Sequence, residues 1–384
     1  MSDRSPLQTL AGLVYDDRYL QHNTGLEVHW GTNRPYPFVE PALHLSNYRL
    51  VMRTKHLIDL SGLGKELLRI EPYPATVRDV TTYHTAAYVE FVRQLCAAGG
   101  GETGEGAPAS PESYEIALLA AGGGMAAVDA VADGRVRRVF ANIRPPGHHA
   151  MTDKGMGFCI FNNVVIAARH AQRRHGFQRV LIVDWDVHNG NGTQDAFYAD
   201  PSVLFVSLHQ DRLYPPGFGE LDQVGTGAGT GFTVNLPLPA GSGDAIYQAA
   251  FERIVLPIAR QFRPDLVLVS AGQDASINDQ LGRMSVTTEG YRAMTQAMID
   301  LAEEFAGGRL VILQEGGYAE LYAPYCTHAI VETLAERRTG LPEPMSAEYI
   351  AARPEHTTIG PSGEAALARI VAHHAQHWSG ETKS

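Results

Sequence analysis

Short apolar, β-branched runs alternate with longer amphipathic stretches along most of this chain, and this alternation restricts its fold more than any other feature. Strands that are apolar throughout are buried on both faces, as in parallel sheets whose strands are joined by helices. The sequence therefore predicts an α/β fold with a central, mostly parallel sheet flanked by helices. The predicted strands end near Arg144, Asp186, His209, Gln273 and Gly317. Helices are predicted at residues 160–174, 245–262 and 289–305, and in the region after Tyr318.

The charge balance and the cysteines indicate which partners and which compartment to expect. The 42 acidic and 31 basic residues give a formal net charge of -11, which repels phosphate backbones and attracts cationic ligands at long range. We therefore expect no nucleic-acid partner. Cys96, Cys159 and Cys326 form no CxxC pair, as in a protein of a reducing cytosol. Since we find neither a signal-peptide pattern nor a stretch of the length needed to span a bilayer, we expect a cytoplasmic protein without membrane contact.

Polar side chains follow one predicted strand, and a second strand supplies another carboxylate. In VDWDVHNGNGTQ, alternation puts Asp184, Asp186 and His188 on one face if the strand stays extended that far. The strand DLVLVSAGQDAS supplies Asp274 at an equivalent position. Such a group forms either a metal site or a hydrogen-bonded polar cluster, and the second strand favours the metal. Asp186, His188 and Asp274 would leave one coordination position open, which is typical of catalytic rather than structural zinc.

Groups able to assist such a metal follow two other strands. NIRPPGHHAM places His148 and His149 behind a PPG segment, which stiffens the approach and allows close packing. QEGGY places Tyr318 after two glycines, where its hydroxyl could donate to a developing oxyanion. In GFCIFNN, Phe158 could line an acyl-chain channel. Each has a structural alternative, respectively a surface loop, a core or rim tyrosine and a core phenylalanine, and their combination with the metal ligands favours catalysis.

Several motifs occur in order between about Tyr83 and Tyr325: RPPGHHA, GFCIFNN, DWDVHNGNGTQ, SLHQ, SAGQDA, LGRM and EGGY. Together they resemble the histone deacetylase superfamily, in particular its class II and bacterial deacetylase-like amidohydrolases. The resemblance implies the three-layer arginase/deacetylase α/β fold, with the active site at the carboxyl ends of the strands. It also implies a single catalytic domain over residues 1–384, with a core of about 10–340 and a C-terminal extension of 341–384.

The resemblance also implies a role for each catalytic group of a zinc-dependent amidohydrolase. His149 would act as a general base toward the attacking water and then as an acid toward the leaving amine. His148, oriented by Asp184, would mainly stabilise charge. Asn191 would orient His149, and Tyr318 would stabilise the oxyanion. We expect substrate contacts from Gly157, Phe158, Tyr214, Leu281, Gly316 and Gly317.

Metal sites of two kinds are implied by the same resemblance. One zinc ion per subunit would be held by Asp186, His188 and Asp274. A potassium ion near the zinc would be bound, largely through backbone carbonyls, by Asp184, Asp186, His188, Ser207 and Leu208. A second potassium site would involve Phe197, Asp200, Val203 and Phe232.

This chain departs from the family pattern in two places. Asn189 stands where the family usually has a second histidine, giving DVHNGNG instead of DVHHGNG. That residue is not a ligand in the family, so we expect an intact metal site with altered packing. The stretch from His29 to Arg49 lacks the usual HPE or HPES entry, and a changed first loop would reshape the channel mouth or an oligomer contact. Substrate choice therefore transfers least from the family, and a homo-oligomer is a reasonable expectation.

Four functions are compatible with parts of this sequence pattern. The first two share their chemistry: deacylation of acetyl-lysine-type side chains, and deacetylation of polyamines or other small amides. A binding protein that only recognises acylated ligands would normally have lost a metal ligand, a histidine or the tyrosine, and all are present. A binuclear manganese hydrolase needs further carboxylates and histidines, which Val187 and Asn189 do not provide. The sequence favours a mononuclear zinc hydrolase acting on a small-molecule or peptide acyl-amine.

The stretch GGGETGEGAPASPES, residues 99–113, is rich in Gly, Pro and Ser, which is typical of an exposed loop. Glu102 and Glu105 in this stretch could bind a backbone amide or a cationic amine of the substrate at the channel rim. A solvated loop without a binding role is the simpler alternative.

Overall fold

The computed structural model describes residues 10–27 and 40–378, so residues 29–39 of the atypical first loop lie outside the described part. Its strands are β1 (Ala11–Val14), β2 (Leu26–Glu27), β3 (Ala42–Leu43), β4 (Leu68–Ile70), β5 (Gly101–Glu102), β6 (Gly104–Glu105), β7 (Pro108–Ala109), β8 (Arg138–Ala141), β9 (Gly155–Met156), β10 (Val180–Asp184), β11 (Val203–Gln210), β12 (Thr233–Leu238), β13 (Leu266–Ala271) and β14 (Leu310–Gln314). Its α-helices are α1 (Arg49–Leu60), α2 (Val77–Val80), α3 (Ala86–Ala97), α4 (Ser113–Ala132), α5 (Asn163–His175), α6 (Asn191–Phe197), α7 (Asp244–Ala250), α8 (Leu256–Phe262), α9 (Thr288–Phe305), α10 (Ala323–Leu334), α11 (Ala347–Ala351) and α12 (Pro361–His374).

Eight of these strands form one sheet in the order β12-β11-β10-β13-β14-β8-β1-β4, and all its neighbouring pairs are parallel. From β10 the chain runs outward through β11 to β12, and it then returns to place β13 on the other side of β10. The connections that follow β10 and β13 therefore lead in opposite directions. Ligands of open α/β sheets bind at such a point, beyond the carboxyl ends of the strands. The predicted α/β fold with a mostly parallel sheet is confirmed.

The five predicted strands are present as β8, β10, β11, β13 and β14. Three further strands of the sheet, β1, β4 and β12, were missed by the sequence analysis. The first two span four and three residues, too few to show a period. β12 contains Asn235 and Pro237, residue types that are depleted in strands. Four of the five strands that sequence reasoning finds, all except the four-residue β8, have five or more residues and are mostly apolar.

The helix predicted over 245–262 is confirmed, but its α-helical hydrogen bonding is interrupted. The structure has α7, a π-helical stretch at Phe251–Val255, and α8. Pro257 has no backbone N–H to donate, and within an α-helix its ring would clash with the carbonyl four residues earlier. The wider turn directly before Pro257 changes the hydrogen-bonding register at the point where the proline interrupts it.

Helix α4 corrects the expectation that no stretch reaches the length of a membrane span. Its 20 residues are long and apolar enough to cross a bilayer, but 83% of the apolar window is buried inside the protein. The chain around Tyr73 packs directly on its backbone, since a Cβ on Gly122 would lie 1.6 Å from the Tyr73 carbonyl oxygen. A helix that is apolar on all sides is expected where neighbours surround it, so α4 meets the criterion as a core helix.

The expectation that residues 99–113 form an exposed loop is wrong in part. Thr103, Ala107 and Ser113 are buried, because β5 pairs with β7, β6 pairs with β9, and Ser113 already begins α4. A Cβ on Gly104 would lie 2.1 Å from the carbonyl oxygen of Gly155, so only glycine permits this approach. The pairing of β6 with β9 joins this stretch to the segment that follows His148 and His149.

The C-terminal segment lies against β12, the edge strand of the sheet. Nε2 of His374 contacts the carbonyl oxygen of Asn235 at 3.2 Å, and Nε1 of Trp378 donates to the carbonyl of Gly231 at 2.7 Å. These contacts cover an edge that would otherwise present open backbone groups. A single domain over residues 1–384 remains a prediction.

Candidate metal centre and active site

Asp186, His188 and Asp274 converge beyond the carboxyl ends of β10 and β13, at the switch point of the sheet. The strand does not extend to His188 as the alternation argument required, because β10 ends at Asp184. A turn follows instead, in which Oδ1 of Asp184 accepts the N–H of Asp186 at 3.1 Å, and Oδ1 of Asp186 accepts that of His188 at 3.0 Å. The structure nevertheless brings one ligand atom from each of the three residues within 4.8 Å of the others, all of them buried.

The three side chains fit a divalent cation. Nδ1 of His188 lies 3.0 Å from Oδ1 of Asp186 and 3.2 Å from Oδ2 of Asp274. Oδ2 of Asp274 is buried and accepts no hydrogen bond within the described part of the chain. Burial, together with the negative charge of Asp186, raises the pKa of Asp274 to about 8. Because the two buried carboxylates lie close enough for the charge of Asp186 to act on Asp274, a bound cation is the natural complement of this group.

Two glycines leave the space that the carboxylates occupy. A Cβ on Gly272 would lie 2.1 Å from Oδ2 of Asp186, and one on Gly316 would lie 2.2 Å from Oδ2 of Asp274. The backbone also holds each carboxylate, since the N–H of Gly316 donates to Oδ2 of Asp186 and that of Val187 to Oδ1 of Asp274, both at 2.9 Å. Any side chain at position 272 or 316 would displace a ligand.

His148 and His149 lie side by side, with ring centroids 3.9 Å apart, but they have different partners. Nδ1 of His148 contacts Oδ2 of Asp184 at 2.9 Å, and Nδ1 of His149 contacts Oδ1 of Asn191 at 2.7 Å. Burial opposes charge on His148, but the charges of Asp186 and Asp184 outweigh it and raise the pKa of this histidine. Burial and the neighbouring His148 hold the pKa of His149 well below its usual range. The pair therefore provides one cationic and one neutral imidazole.

Two carboxylates that the sequence analysis missed, one buried (Glu315) and one half-buried (Asp279), hold the segments on which these groups stand. Oδ2 of Asp279 accepts the N–H groups of Tyr318 and of the following residue, at 2.7 and 3.0 Å. Oε2 of Glu315 accepts those of Gly147 and His148, at 2.7 and 3.2 Å. The sequence contained a signal for Glu315, because this charged residue directly follows the mostly apolar strand β14. Asp279 had none, because it lies in an irregular segment between β13 and α9.

A family model of the histone deacetylase domain matches residues 44–334, which is more than half of the chain. This chain belongs to the histone deacetylase family. As a member of that family it is a hydrolase that acts on amide bonds, and the predicted resemblance is confirmed.

Three relatives show how far the similarity extends. A histone deacetylase-like amidohydrolase of Pseudomonas aeruginosa is 45% identical over 303 residues, covering 79% of this chain and 80% of that protein. The polyamine deacetylase HDAC10 of Homo sapiens is 43% identical over 268 residues, covering 67% of this chain and 40% of that protein. The solved HDA15 HD domain matches with a TM-score of 0.84 at 32% identity, covering 97% of this chain and 96% of that one. The deacetylase fold is therefore confirmed over nearly the whole chain.

Aromatic side chains flank the predicted catalytic groups of this deacetylase. The ring of Tyr214 lies 5.1 Å from that of His149, and the ring of Phe158 lies 5.8 Å from that of Tyr318. Phe158 has a φ of 70° and Gly157 a φ of 51°, so this segment turns through the left-handed region. A Cβ on Gly157 would lie 2.4 Å from Cδ2 of His149. The GFC segment thus packs directly on the predicted base.

The remaining predicted substrate contacts lie around the Tyr318 segment. Leu281 is half-buried, and its N–H donates to Oδ1 of Asp279 at 2.9 Å. Gly316 contacts both metal-site carboxylates, as described above, and Gly317 has a φ of 134° that favours glycine. Asp279 therefore connects Leu281 with the segment that carries Tyr318, and a ligand between these residues would contact both.

The residues of the predicted potassium sites lie close together in the structure, while the ion itself remains a prediction. Asp184 pairs in register with Ser207 on β11, and Leu208 is the next residue of that strand. At the second site, the carbonyl of Phe197 accepts the N–H of Asp200 at 3.0 Å. The other two residues of this set, Val203 and Phe232, lie at the start of β11 and directly before β12.

Asn189, the departure from the family motif, is buried within a polar network. Its amide donates to Oδ1 of Asn235 at 3.0 Å and to Oγ of Ser207 at 3.3 Å, while its own Oδ1 has no hydrogen-bond partner among the described residues. It therefore connects the metal-site turn to β11 and β12. Among the described residues, the recorded hydrogen bonds of the Asn189 side chain go to Ser207 and Asn235, and none goes to the three predicted zinc ligands.

The two rim glutamates have different surroundings. Oε2 of Glu102 accepts the N–H of Ala107 at 2.9 Å, so this side chain folds back on its own segment. Glu105 is exposed, lies 3.4 Å from Nζ of Lys154, and is one of the charges that raise the pKa of Tyr214. The charge of Glu105 thus acts on Tyr214, and Lys154 already faces this glutamate.

Proposed function

We propose that this deacetylase is zinc-dependent and removes the acetyl group from acetyl-lysine side chains of peptides or proteins. The observation that carries the proposal is the convergence of three buried ligand atoms beside two histidines of opposite charge preference. Oδ2 of Asp274 accepts no hydrogen bond among the described residues and lies 3.2 Å from Nδ1 of His188. Asp186, His188 and Asp274 would hold the ion. A zinc ion at such a three-ligand site polarises an amide carbonyl and lowers the pKa of a water molecule.

The hydrogen bonds of His149 suit it to take up a proton. Because the side-chain oxygen of Asn191 can only accept, Nδ1 of His149 carries the hydrogen of their 2.7 Å contact, and Nε2 keeps its lone pair. The amide of Asn191 is held in this orientation by its donation to the His149 carbonyl at 3.3 Å. His149 therefore takes a proton from the attacking water and returns it to the leaving amine.

His148 and Tyr318 stabilise the negative charge that develops on the substrate, and they do not accept the proton of the water. The Asp184 carboxylate keeps the neighbouring imidazole of His148 protonated, so this residue stabilises negative charge that develops during the reaction. The Tyr318 hydroxyl remains protonated, because burial and the charge of Asp274 raise its pKa. It therefore donates a hydrogen bond to the oxyanion.

The surroundings of the catalytic groups favour an alkyl chain over a polyamine. Phe158 packs edge-on against His44 at 4.8 Å, and burial lowers the pKa of that histidine to about 4, so the ring is neutral. Phe158 and Tyr214 thus form a neutral aromatic wall, which suits the methylene chain of lysine. The second amine of a polyamine would need an acidic partner, and Glu105 already faces Lys154.

Acetylpolyamines are the second candidate substrates. The net charge of -11, the exposed Glu105 and the similarity to a protein named a polyamine deacetylase favour them. We also propose a cytoplasmic location, a potassium ion at the first predicted site, a possible homo-oligomer, and no nucleic-acid or membrane partner. A non-catalytic binding protein is the least favoured alternative, since the metal-ligand, histidine and tyrosine positions are all present.

Turnover of a matched substrate panel tests the proposal. Acetyl-lysine peptide, trifluoroacetyl-lysine peptide, acetylputrescine and acetylspermidine are assayed with zinc-loaded wild type and Tyr318→Phe. We expect the peptides to be deacylated faster than the polyamines. Exclusive turnover of the polyamines would replace the lysine assignment by the second candidate. An absence of turnover on all four would contradict both and favour the binding protein.

A further inference from the structure

A second group of metal-ligating side chains lies between α4 and α5, built from residues that take no part in the catalytic site. Asp129 is in the last turn of α4, His170 is on α5, and His175 is the final residue of α5. Nε2 of each histidine lies 2.7 Å from the same oxygen, Oδ1 of Asp129. One donor atom from each of the three residues lies within 4.8 Å of the other two.

The surroundings of this group hold its side chains in place and leave it open to solvent. The Tyr73 hydroxyl donates to the other oxygen of Asp129, Oδ2, at 2.6 Å. The imidazole rings of His170 and His175 pack at 77°, with centroids 5.6 Å apart. The side chains of Asp129, His170 and His175 are 26%, 14% and 15% exposed, so a hydrated ion can reach them without a movement of the fold.

We propose that Asp129, His170 and His175 form a second binding site for a divalent transition-metal ion of the zinc class, separate from the catalytic site. Two imidazoles and a carboxylate are the ligand types that zinc, cobalt and nickel ions prefer in proteins. Alkaline-earth ions prefer all-oxygen sites and are a poorer match for two imidazoles. Water completes the coordination, because the described residues supply three donors and the site is partly exposed.

Metal binding requires only small changes at these residues. Tetrahedral zinc with ligands at about 2.0–2.1 Å places neighbouring donor atoms about 3.3 Å apart, so the two 2.7 Å contacts must lengthen slightly. In the metal-free protein each Nε2 carries the hydrogen that it donates to Asp129. On binding, each Nε2 gives up that hydrogen to solvent and presents its lone pair to the ion, while Nδ1 carries the ring hydrogen.

The position of the site determines what its occupancy would do. Asp129 and His175 lie near the C-terminal ends of α4 and α5, which pack against each other along much of their length. An ion shared between them links the two helices, and α5 is the helix that begins after the histidine pair and the GFC segment. Since the ion binds only the folded arrangement, its presence raises the melting temperature of the protein.

Metal stoichiometry of tag-free protein tests the site. The full chain is dialysed against zinc buffered in the low micromolar range and its bound zinc is measured by mass spectrometry. We expect two equivalents in wild type, and one in the His170→Gln/His175→Gln variant, with its deacetylase turnover retained. The exposed His56→Gln on α1 is the matched control and keeps both equivalents. Retained turnover separates a failure of this site from a failure of the proposed function.

Two results would overturn the proposal: a single equivalent in wild type, or two equivalents in the double variant. If the double variant does not fold, removal of zinc from the wild-type protein tests the site. A mild chelator should then remove one equivalent from the partly exposed site, lower the melting temperature and leave turnover unchanged. Loss of turnover in step with the first equivalent removed would show that the ion came from the catalytic site and would contradict a second one.

Discussion

His149 and Asn191 are joined by a 2.7 Å contact between Nδ1 of the imidazole and the side-chain oxygen of the amide. The amide orients the ring without adding charge, and burial and the neighbouring His148 keep the pKa of His149 low. A carboxylate in the same place would stabilise the protonated ring. The identity of residue 191 should therefore set the lower end of the pH range in which the enzyme works.

Asn191→Asp tests this relationship. We expect the acid limb of the kcat/KM profile to move to higher pH by about one unit or more, because the base remains protonated to a higher pH. Asn191→Ala should lower kcat without that shift, since it removes orientation but adds no charge. Identical acid limbs in wild type and the aspartate variant would show that His149 is not the group whose titration limits the reaction.

Tyr318→Phe removes the hydroxyl proposed to donate to the oxyanion and keeps the ring that packs near Phe158. Loss of one oxyanion donor typically lowers kcat by about 10²–10³-fold, and we expect a decrease of that size with little change in KM. Steady-state kinetics on acetyl-lysine peptide provide the measurement. A kcat close to wild type would exclude Tyr318 from this role.

Asp279→Ala should weaken both the fold and the reaction. Three backbone N–H groups, those of Leu281, Tyr318 and Ala319, donate to this carboxylate. Leaving a buried donor unpaired costs about 1–3 kcal/mol, so the free energy of unfolding falls by at least that amount. The Tyr318 segment also loses its anchor, and kcat falls. Urea unfolding and kinetics measure the two effects, with the exposed Asp133→Ala as the control.

An unchanged kcat in a folded Asp279→Ala protein would mean that the Tyr318 segment holds its position without this carboxylate. A lower kcat that Asp133→Ala does not share would support the positioning role. The recorded hydrogen bonds of the Asp279 carboxylate come from backbone N–H groups, and none joins it to a proposed catalytic side chain among the described residues. Its effect passes through the Tyr318 segment and through its negative charge, which acts on Asp274 and His188.

His84 makes the stability of this protein depend on pH. Its Nε2 accepts the N–H of Asn162 at 2.9 Å, and burial lowers its pKa to about 3. The unfolded chain binds a proton near pH 6.5, whereas the folded chain does not bind it until about pH 3. Stability from this group is therefore complete above about pH 6.5 and is lost as the pH falls toward 3.

The expected slope from His84 approaches about 1.4 kcal/mol of unfolding free energy per pH unit within that window. Urea unfolding at several pH values measures it. His84→Gln, whose side-chain oxygen can accept from Asn162, should show a flatter profile, and the exposed His56→Gln should follow wild type. Parallel profiles for wild type and His84→Gln would contradict the assignment.

The fold was predictable where burial dictates composition. β10, β11, β13 and β14 are buried along their whole length, so each begins with a run of four apolar residues and becomes polar only toward its carboxyl end. β1 and β4 are too short to show a pattern. The π-helical interruption before Pro257 depends on how a particular proline is accommodated, and sequence periodicity does not contain that information.

The convergence of the proposed catalytic groups was predictable because polar residues at the ends of apolar strands require an explanation. Alternation predicted that Asp186 and His188 share a face of an extended strand. The strand ends at Asp184, however, and a turn brings these residues together instead. Asp279 was not predictable, since its partners are backbone N–H groups about 40 residues away along the chain. Only the tertiary structure brings such groups together.

Zinc titration of metal-free protein tests the central claim most directly. Turnover of acetyl-lysine peptide and bound zinc are measured together, for wild type and for Asp274→Asn, which alters the ligand whose Oδ2 lies 3.2 Å from Nδ1 of His188. We predict no turnover without metal, recovery of turnover as one equivalent binds at Asp186, His188 and Asp274, and loss of both that equivalent and the activity in Asp274→Asn. Turnover by the metal-free protein, or full activity in Asp274→Asn, would contradict the account.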